Sequence, residues 1–169
     1  MKVILYMAMT ANGFIAEKDD DTSFISKEEW DSYIEIVRKA GNVIIGQRTY
    51  GIITKQPEFK QLENIKIIVL SMQDFKTLSP NHLTAKSPKE ALELVKNFEE
   101  IIVAGGGSTN KSFLEENLID EIYLDVEPVI FGEGIPLFAA GDFEKKLEFI
   151  GIKNISDNEI QLHYRVKKN

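Results

Sequence analysis

One stretch of the sequence decides the fold, and it reads Ile101-Ile102-Val103-Ala104-Gly105-Gly106-Gly107-Ser108-Thr109. The apolar run at its start predicts a buried strand. The three glycines let the chain turn sharply and approach a ligand without a Cβ atom in the way. The helix pattern that follows presents free N–H groups suited to a phosphate. The stretch therefore predicts the edge of a nucleotide site on an α/β sheet, although the motif alone leaves open a tight strand-to-helix turn without a ligand.

Further strand-like segments on both sides of this stretch predict the rest of the sheet. They cover residues 3–8, 43–45, 65–70 and 122–126, and helix-like patterns separate them. Alternating strands and helices favour a mostly parallel central sheet with helices on both faces. The C-terminal residues 144–155 and 159–166 have the pattern of a hairpin, which predicts an antiparallel edge. No linker or repeat divides the chain, so we expect one α/β domain over residues 1–169.

Composition narrows the functions that the chain can have. The 169 residues include no cysteine, which excludes disulfides, thiol catalysis and cysteine-ligated metals. The two histidines lack a metal-ligand spacing, so we expect no metal site, with His82 in a loop and His163 in a strand. A net charge of −7 argues against a nucleic-acid partner. No apolar stretch is long enough to cross a membrane and no signal peptide is visible, so we expect a cytoplasmic protein.

The predicted first helix and the loop before it carry several acidic residues. Ser26 and Glu29 have the spacing of a capping box, in which the Glu29 side chain returns to the Ser26 backbone N–H. Trp30 begins the apolar face of this helix, which follows i, i+3, i+4 and i+7 spacing. The run Asp19-Asp20-Asp21 lies in a polar loop, and we expect it to be a solvated surface.

Three predicted strand ends carry residues that suit a dinucleotide. Ligands of open parallel sheets bind beyond the carboxyl ends of the strands. In this sequence Gly46-Gln47-Arg48-Thr49, Ser71 and residues 105–109 follow such ends. The first and last of these segments could each hold an anion through helix N–H groups, hydroxyl groups and the Arg48 guanidinium. Each is also compatible with an ordinary turn, and no G-x-G-x-x-G fingerprint follows the first strand.

Four motifs in order resemble the dihydrofolate reductase superfamily, over nearly the whole chain. They are Asn12-Gly13-Phe14-Ile15-Ala16, Val43-Ile44-Ile45-Gly46-Gln47-Arg48-Thr49-Tyr50, Leu70-Ser71-Met72-Gln73 and Val103-Ala104-Gly105-Gly106-Gly107. Within the superfamily the chain is similar to the stand-alone forms of the riboflavin-biosynthesis reductase domain, because of Ile25-Ser26-Lys27-Glu28-Glu29, residues 118–122 and residues 132–138. The resemblance implies a three-layer, dihydrofolate-reductase-like fold.

The resemblance also implies an NADPH-dependent oxidoreductase. Its substrate would be a small pterin- or pyrimidine-like heterocycle, as in a 5-amino-6-(5-phosphoribosylamino)uracil reductase. The alternatives are dihydrofolate reductase within this class and a non-catalytic nucleotide-binding module outside it. The resemblance implies a cis peptide between Gly105 and Gly106. The cofactor would be held by Ala8, Ile15, Gly46, Arg48, Thr49, Ser71, Gly105, Gly106, Gly107, Ser108 and Thr109.

Two acidic residues are the candidates for catalysis. Glu29 lies beside Trp30, at the helix position where dihydrofolate reductase orients its substrate. Asp125 shares a strand face with Tyr123. We therefore expect Glu29 and Asp125 to act in catalysis, and Trp30 and Tyr123 to contact the substrate. Relatives in the riboflavin branch form dimers, so a homodimer is a possible assembly, with the apolar residues 129–131 as its interface or as buried core.

Overall fold

The computed structural model describes residues 1–168, and Asn169, the last residue of the predicted domain, lies outside them. In chain order the strands are β1 (Lys2–Thr10), β2 (Phe14–Ala16), β3 (Asn42–Gly46), β4 (Lys66–Leu70), β5 (His82–Ala85), β6 (Glu100–Val103), β7 (Glu121–Glu127), β8 (Ile135–Pro136), β9 (Leu147–Asn154) and β10 (Ile160–Val166). The α-helices are α1 (Lys27–Ala40), α2 (Gln47–Ile53), α3 (Pro88–Leu94) and α4 (Gly107–Glu115), and a 3₁₀ helix covers Pro57–Leu62.

Eight of these strands form one sheet, in the order β5-β4-β3-β6-β1-β7-β10-β9. The strands from β5 to β7 in this order run parallel to their neighbours, whereas β10 pairs antiparallel with both β7 and β9. β2 and β8 form a small antiparallel pair of their own. The sequence predicts a mostly parallel sheet with a C-terminal antiparallel hairpin at one edge, and this prediction is confirmed.

Helices cover the sheet on both faces and make three layers. α1 and α2 pack on one face, where Tyr33, Val37 and Tyr50 join the core. α3 and α4 pack on the other face, where Leu92 and Phe113 are buried. A strand that is buried on both faces needs a continuous apolar run rather than an alternating one. The runs of β3, β4 and β6 are continuous in the sequence for this reason.

Local signals fix both ends of α1. Ser26 Oγ accepts a hydrogen bond of 3.0 Å from the Glu29 backbone N–H. Gly41 ends the helix in the left-handed region at φ 73°, which a glycine adopts without a Cβ clash. The first turn of the helix lies near the carboxyl end of β1, and Glu29 and Trp30 in this turn line the same cavity as Ala8.

The structure differs from the sequence predictions in three short strands. His82 is predicted in a loop, but it is buried and begins β5, which pairs parallel with β4 from Ile67 onward. β2 and β8 also lie in segments without a strand pattern. These strands are four residues long or shorter, so their pairing partners rather than their own periodicity define them. No helix in the described part of the chain is long and apolar enough to cross a membrane.

Candidate active site

A cavity of about 470 Å³ lies at the carboxyl ends of β1, β3 and β6. Its position follows the general rule for ligand sites in open parallel sheets. The α1 side of the cavity is lined by Ile25, Glu29, Trp30 and Tyr33. Nine of the eleven residues predicted to hold a cofactor line the same cavity, namely Ala8, Ile15, Gly46, Arg48, Thr49, Gly106, Gly107, Ser108 and Thr109.

The glycines at the ends of β3 and β6 bring two backbones into close contact. The Gly46 N–H donates a 2.7 Å hydrogen bond to the Gly105 carbonyl. The Gly105-Gly106 peptide is cis, as the resemblance implies. A Cβ atom on Gly46 would lie 2.7 Å from Thr109 Oγ1, and one on Gly106 would lie 3.2 Å from Thr49 Oγ1. Packing therefore favours glycine at both positions, most strongly at Gly46, and Thr49 and Thr109 lie close to these glycines in the cavity wall.

The N-terminus of α4 opens into this cavity. Its N-cap is Gly106, and no side chain caps the helix. The first N–H groups of an α-helix have no partner within the helix. Gly107, Ser108 and Thr109 form the first turn, and all three line the cavity. Uncapped N–H groups beside two hydroxyl groups are suited to bind a phosphate.

Two of the predicted cofactor residues, Gly105 and Ser71, do not line the cavity. The Gly105 carbonyl is used by Gly46, as described above. Ser71 is buried behind α2, where its Oγ lies 2.7 Å from Gln47 Oε1 and accepts a hydrogen bond from the Gln73 N–H. Gln47, rather than Ser71, lines the cavity at this point. The structure thus gives Ser71 a role in holding the turn after β4.

Arg48 forms a bidentate ion pair at the edge of the cavity. Its Nε donates to Asp20 Oδ2 and its Nη2 lies against Asp20 Oδ1, both at 2.6 Å. The prediction that the acidic run is only a solvated surface is therefore wrong for Asp20, which also lines the cavity. The reason lies in the chain path, because the loop before α1 passes beside the N-terminus of α2.

Glu29 does not complete the predicted capping box. The Ser26 N–H donates a 2.8 Å hydrogen bond to Glu127 Oε1 instead, because β7 ends beside the start of α1. Among the described residues, no hydrogen bond or ion pair involves the Glu29 carboxyl group. Glu29 is nevertheless only 4% exposed, and it lines the cavity. An unpaired carboxyl group at a cavity wall is available to bind a ligand.

The pKa of Glu29 is raised well above its ordinary value. Burial is the main cause, and the nearby carboxyl groups of Asp125, Glu127 and Glu159 add to it. The same two effects raise the pKa of Glu127, which lies close to Glu159. A carboxyl group with a raised pKa keeps its proton at a higher pH and can act as a general acid. Glu29 is therefore suited to deliver a proton inside the cavity.

Asp125 is buried behind the cavity rather than in its wall. Its carboxylate accepts hydrogen bonds from the Tyr6 hydroxyl group and, at 2.8 Å, from Gln161 Nε2. Burial raises the pKa of Asp125, and these two hydrogen bonds oppose that rise. Tyr6 does line the cavity, and its hydroxyl group also lies 2.8 Å from Ser32 Oγ. Asp125 is therefore connected to the cavity wall through Tyr6.

The two predicted substrate contacts have different surroundings. Trp30 lines the cavity and packs edge-on against Tyr33, with ring centroids 5.7 Å apart. Tyr123 does not line the cavity, although it lies on the same strand face as Asp125. Its ring is stacked on His163 at 4.1 Å, near the opposite end of β7. Tyr123 and Asp125 do share a strand face, as predicted. Tyr123 lies two positions earlier along β7, however, and is therefore more than 6 Å further from the carboxyl end, where the cavity lies.

Tyr6 is the site residue that sequence reasoning missed most clearly. It lies on the same face of β1 as Ala8, two positions away, so strand alternation from Ala8 predicts it. Glu127 has the same relation to Asp125 on β7. No such sequence signal marks Glu159, because it follows a turn and the β9–β10 hairpin brings it near Glu29. Its carboxylate accepts a hydrogen bond from Ser26 Oγ.

Comparison with known proteins agrees with this architecture. A model of the RibD C-terminal domain matches residues 1–161, and the chain belongs to this family. The uncharacterized protein YwjB of Bacillus subtilis (strain 168) is 29% identical in an alignment 172 residues long. The alignment covers 96% of this chain and 97% of YwjB.

Solved structures share the fold. A Shewanella sp. PV-4 protein described as a riboflavin biosynthesis protein superimposes with a TM-score of 0.80 at 20% identity, over 99% of this chain and all of that one. A bifunctional diaminohydroxyphosphoribosylaminopyrimidine deaminase and 5-amino-6-(5-phosphoribosylamino)uracil reductase of Thermotoga maritima gives 0.71 at 18% identity, over 98% of this chain and 56% of that one.

Proposed function

We propose that this chain is an NADPH-dependent reductase of a small pterin- or pyrimidine-like heterocycle. The observation that carries the proposal is a single cavity that joins the glycine ends of β3 and β6 to the buried, unpaired carboxyl group of Glu29. A phosphate-binding edge and a proton-bearing group in one cavity are what a reductase of a C=N bond requires. Membership of the RibD C-terminal domain family supports the same proposal.

The residues of the cavity fit a dinucleotide cofactor. The uncapped first turn of α4 and the hydroxyl groups of Ser108 and Thr109 would hold a phosphate. Arg48 and Thr49, at the start of α2, would hold the adenosine-phosphate end. Ala8 and Ile15 are buried apolar walls that would flank the nicotinamide ring. The cofactor would supply the hydride, and the protein would supply position, a dry surface and the proton.

The proton is assigned to Glu29. Reduction of a C=N bond places a hydride on carbon and a proton on nitrogen. Because the pKa of Glu29 is raised by burial and by neighbouring carboxyl groups, its protonated form extends to higher pH than that of an ordinary glutamate. Asp125 is then a positioning residue, since it holds the Tyr6 hydroxyl group in the cavity wall. Trp30 would pack against the heterocycle.

The substrate class is carried over from the printed activity of the Thermotoga maritima protein, a 5-amino-6-(5-phosphoribosylamino)uracil reductase. Dihydrofolate reductase is a second candidate within the class. The position of Glu29 favours it, because the carboxyl group lies on the first helix and lines the cavity. Both candidates need the same cofactor site, and only a substrate comparison separates them.

Two measurements test the proposal in order. The first is a titration with NADPH and NADH that follows the fluorescence of Trp30, the single tryptophan of the chain. We expect binding that favours NADPH, and Arg48→Ala should weaken NADPH binding more than NADH binding. The second is NADPH oxidation at 340 nm with aminopyrimidine, ribosylated aminopyrimidine and dihydropterin substrates. Binding without turnover on any substrate would favour a non-catalytic nucleotide-binding module, and no binding of either cofactor would refute the proposal.

A further inference from the structure

Arg48 is the only cationic residue among those that line the cavity in the described chain, and a carboxylate already occupies its guanidinium group. Both Asp20 oxygens lie 2.6 Å from Arg48 nitrogens, one on Nε and one on Nη2. This fork is the geometry in which arginine binds a carboxylate or a phosphate through two parallel hydrogen bonds. Asp20 thus holds one of the bidentate donor pairs of Arg48 that an anionic ligand could use.

The loop around Asp20 is braced in this position. The Glu17 N–H donates to the Asp21 carbonyl at 2.9 Å, and the Asp20 N–H donates to the Glu17 carbonyl at 3.1 Å, so the turn is closed at both ends. Asp20 itself has φ 72°, in the left-handed region. Further along, the Phe24 and Phe131 rings pack edge to face with centroids 5.1 Å apart. The carboxylate is therefore presented to Arg48 by a folded loop.

We propose that Asp20 competes, within the protein, with the phosphate group of the ligand for Arg48, and so sets the affinity of the cavity for phosphate-bearing cofactors. The nature of the ligand rests on the function proposed above. A phosphate that approaches Arg48 must displace the Asp20 carboxylate or lie next to it. Displacement breaks two charge-assisted hydrogen bonds, and adjacency places two anions side by side.

The competition has an expected size and salt dependence. Two unit charges about 4 Å apart in a water-like medium interact by roughly 1 kcal/mol, which corresponds to about a fivefold change in affinity. The ion pair is partly exposed, with 63% of the Arg48 side chain and 29% of the Asp20 side chain accessible, so the water-like figure applies. Salt screens charges at such sites, and the effect should shrink as ionic strength rises.

The test compares Asp20→Asn with a matched neighbour, Asp19→Asn. Both substitutions remove one negative charge from the same loop, but Asp19 does not contact Arg48 and only accepts a hydrogen bond from the Asp21 N–H. Asparagine tolerates the left-handed region, so the turn at Asp20 is retained. Isothermal titration calorimetry would measure the Kd of NADPH and, separately, of inorganic pyrophosphate, at about 0.01 M and about 1 M salt.

We expect Asp20→Asn to bind NADPH and pyrophosphate about fivefold more tightly than the wild type at low salt, and nearly equally at high salt. Asp19→Asn should resemble the wild type. Equal affinities for Asp20→Asn and the wild type would overturn the inference while leaving the reductase proposal intact, as would an equal gain in Asp19→Asn. If no variant binds NADPH, the reductase proposal fails, and the pyrophosphate affinities alone decide whether Asp20 competes at Arg48.

Discussion

Glu29 combines burial with the absence of a polar partner for its carboxyl group in the described chain. A buried ionised carboxylate without a partner is unfavourable, so such a group keeps its proton or is retained for function. The pKa of Glu29 is higher in the folded protein than the ordinary value of 4.5, mainly because of burial. The folded state therefore binds more protons than the unfolded state above pH 4.5, and the free energy of unfolding falls as pH rises through this window.

Glu29→Gln should separate stability from activity. The amide keeps the shape of the side chain and cannot ionise, so the variant should melt about 2–4 °C higher than the wild type at pH 8, the shift that about 1 kcal/mol produces in a chain of this size. Its turnover should fall by about 100-fold, because the proton donor is lost. Calorimetric melting at pH 5 and pH 8, together with NADPH oxidation, measures both effects.

The neighbouring Glu28→Gln is the control for this prediction. Glu28 lies in the same first turn of α1 but is exposed to solvent. Its substitution should change neither the melting temperature at pH 8 nor the turnover beyond the spread of ordinary surface variants. A drop in melting temperature for Glu29→Gln, or full turnover in that variant, would assign Glu29 a structural role instead.

His82 is a second buried group whose protonation is linked to stability. The Leu78 N–H donates to the Tyr50 hydroxyl group at 2.9 Å, and this hydroxyl group lies 2.7 Å from His82 Nδ1. The Tyr50 hydroxyl group and Nδ1 of the buried imidazole therefore share one hydrogen bond. Burial lowers the pKa of His82 below its ordinary value of 6.5. The unfolded state then binds more protons below about pH 6.5, so the folded protein loses stability as pH falls through this range.

His82→Asn should flatten this acid response. Removing the titrating group removes up to about 1.4 kcal/mol per pH unit from the slope, the limit for one proton. Urea unfolding at pH 7, 6 and 5 measures the slope. Identical slopes in the variant and the wild type would mean that His82 binds its proton equally in the folded and unfolded states.

The sequence predicts the backbone part of the site better than its acidic part. The site glycines Gly46, Gly106 and Gly107 are predictable from the sequence, because a Cβ atom at each would crowd a neighbouring side chain or, at Gly107, the backbone. The role of Glu29 is not predictable in this way, since its spacing to Ser26 also fits a capping box, and only the position of Glu127 on β7 decides between the two roles. The β7 side chains show the same limit, because alternation defines the face of Asp125 but not the Tyr6 hydroxyl group in front of it.

Among the secondary-structure elements, α4 depends on a glycine at its first position. A Cβ atom on Gly107 would lie 2.5 Å from the Pro136 carbonyl oxygen and 3.3 Å from the Ala139 nitrogen. The Ala139 N–H also donates to the Gly107 carbonyl at 3.1 Å, so the segment after β8 rests on the start of the helix. Both contacts involve backbone atoms, which cannot move away as a flexible side chain would.

Gly107→Ala should therefore destabilise the fold and the phosphate end of the site together. We expect a loss of about 1–3 kcal/mol in the free energy of unfolding, typical of overpacking, with weaker NADPH binding. Gly51→Ala is the matched control, because a Cβ atom at Gly51 in α2 meets nothing within 4 Å. In a helix interior this change should be neutral or stabilise by up to about 1 kcal/mol. Equal urea midpoints for the two variants would contradict the packing argument.

The elements that the sequence predicts are those with long patterns. β1, β3, β4 and β6 have continuous apolar runs, β7 has apolar residues interrupted by Asp125, and α1 has a capped, amphipathic pattern, so each can be predicted from its own sequence. β5 is only four residues long and takes its place by pairing with β4. β2 and β8 likewise pair with each other across more than a hundred residues of sequence. Such strands are a product of the tertiary fold, which a local pattern cannot contain.

At the scale of the whole molecule, several exposed apolar side chains lie together at the β9 edge of the sheet. Phe149 is 58% exposed and Ile152 is 59% exposed, and Leu147 on the same strand is 40% exposed. These three residues are opposite Tyr164, Leu162 and Val166 of β10, so a bulge at Ile150 keeps them on one face. An apolar patch of this kind on an edge strand marks an interaction surface or an aggregation hazard.

The homodimer expected from the sequence remains a prediction, and we expect its interface at the β9 edge rather than at residues 129–131, where Ile130 is 74% exposed but Phe131 packs on Phe24. Two-fold antiparallel pairing of β9 would place Phe149 opposite Ile152 of the partner subunit and Glu148 opposite Lys153 of the partner subunit. This register joins apolar residues on one face and opposite charges on the other.

The combined variant Phe149→Thr with Ile152→Thr should then be monomeric by light scattering after size exclusion. In contrast, Ile130→Thr, at the interface expected from the sequence, should remain dimeric. A monomeric wild type would refute this pairing. A dimer that survives the double substitution would also refute it, because the pairing places both substituted residues in the interface.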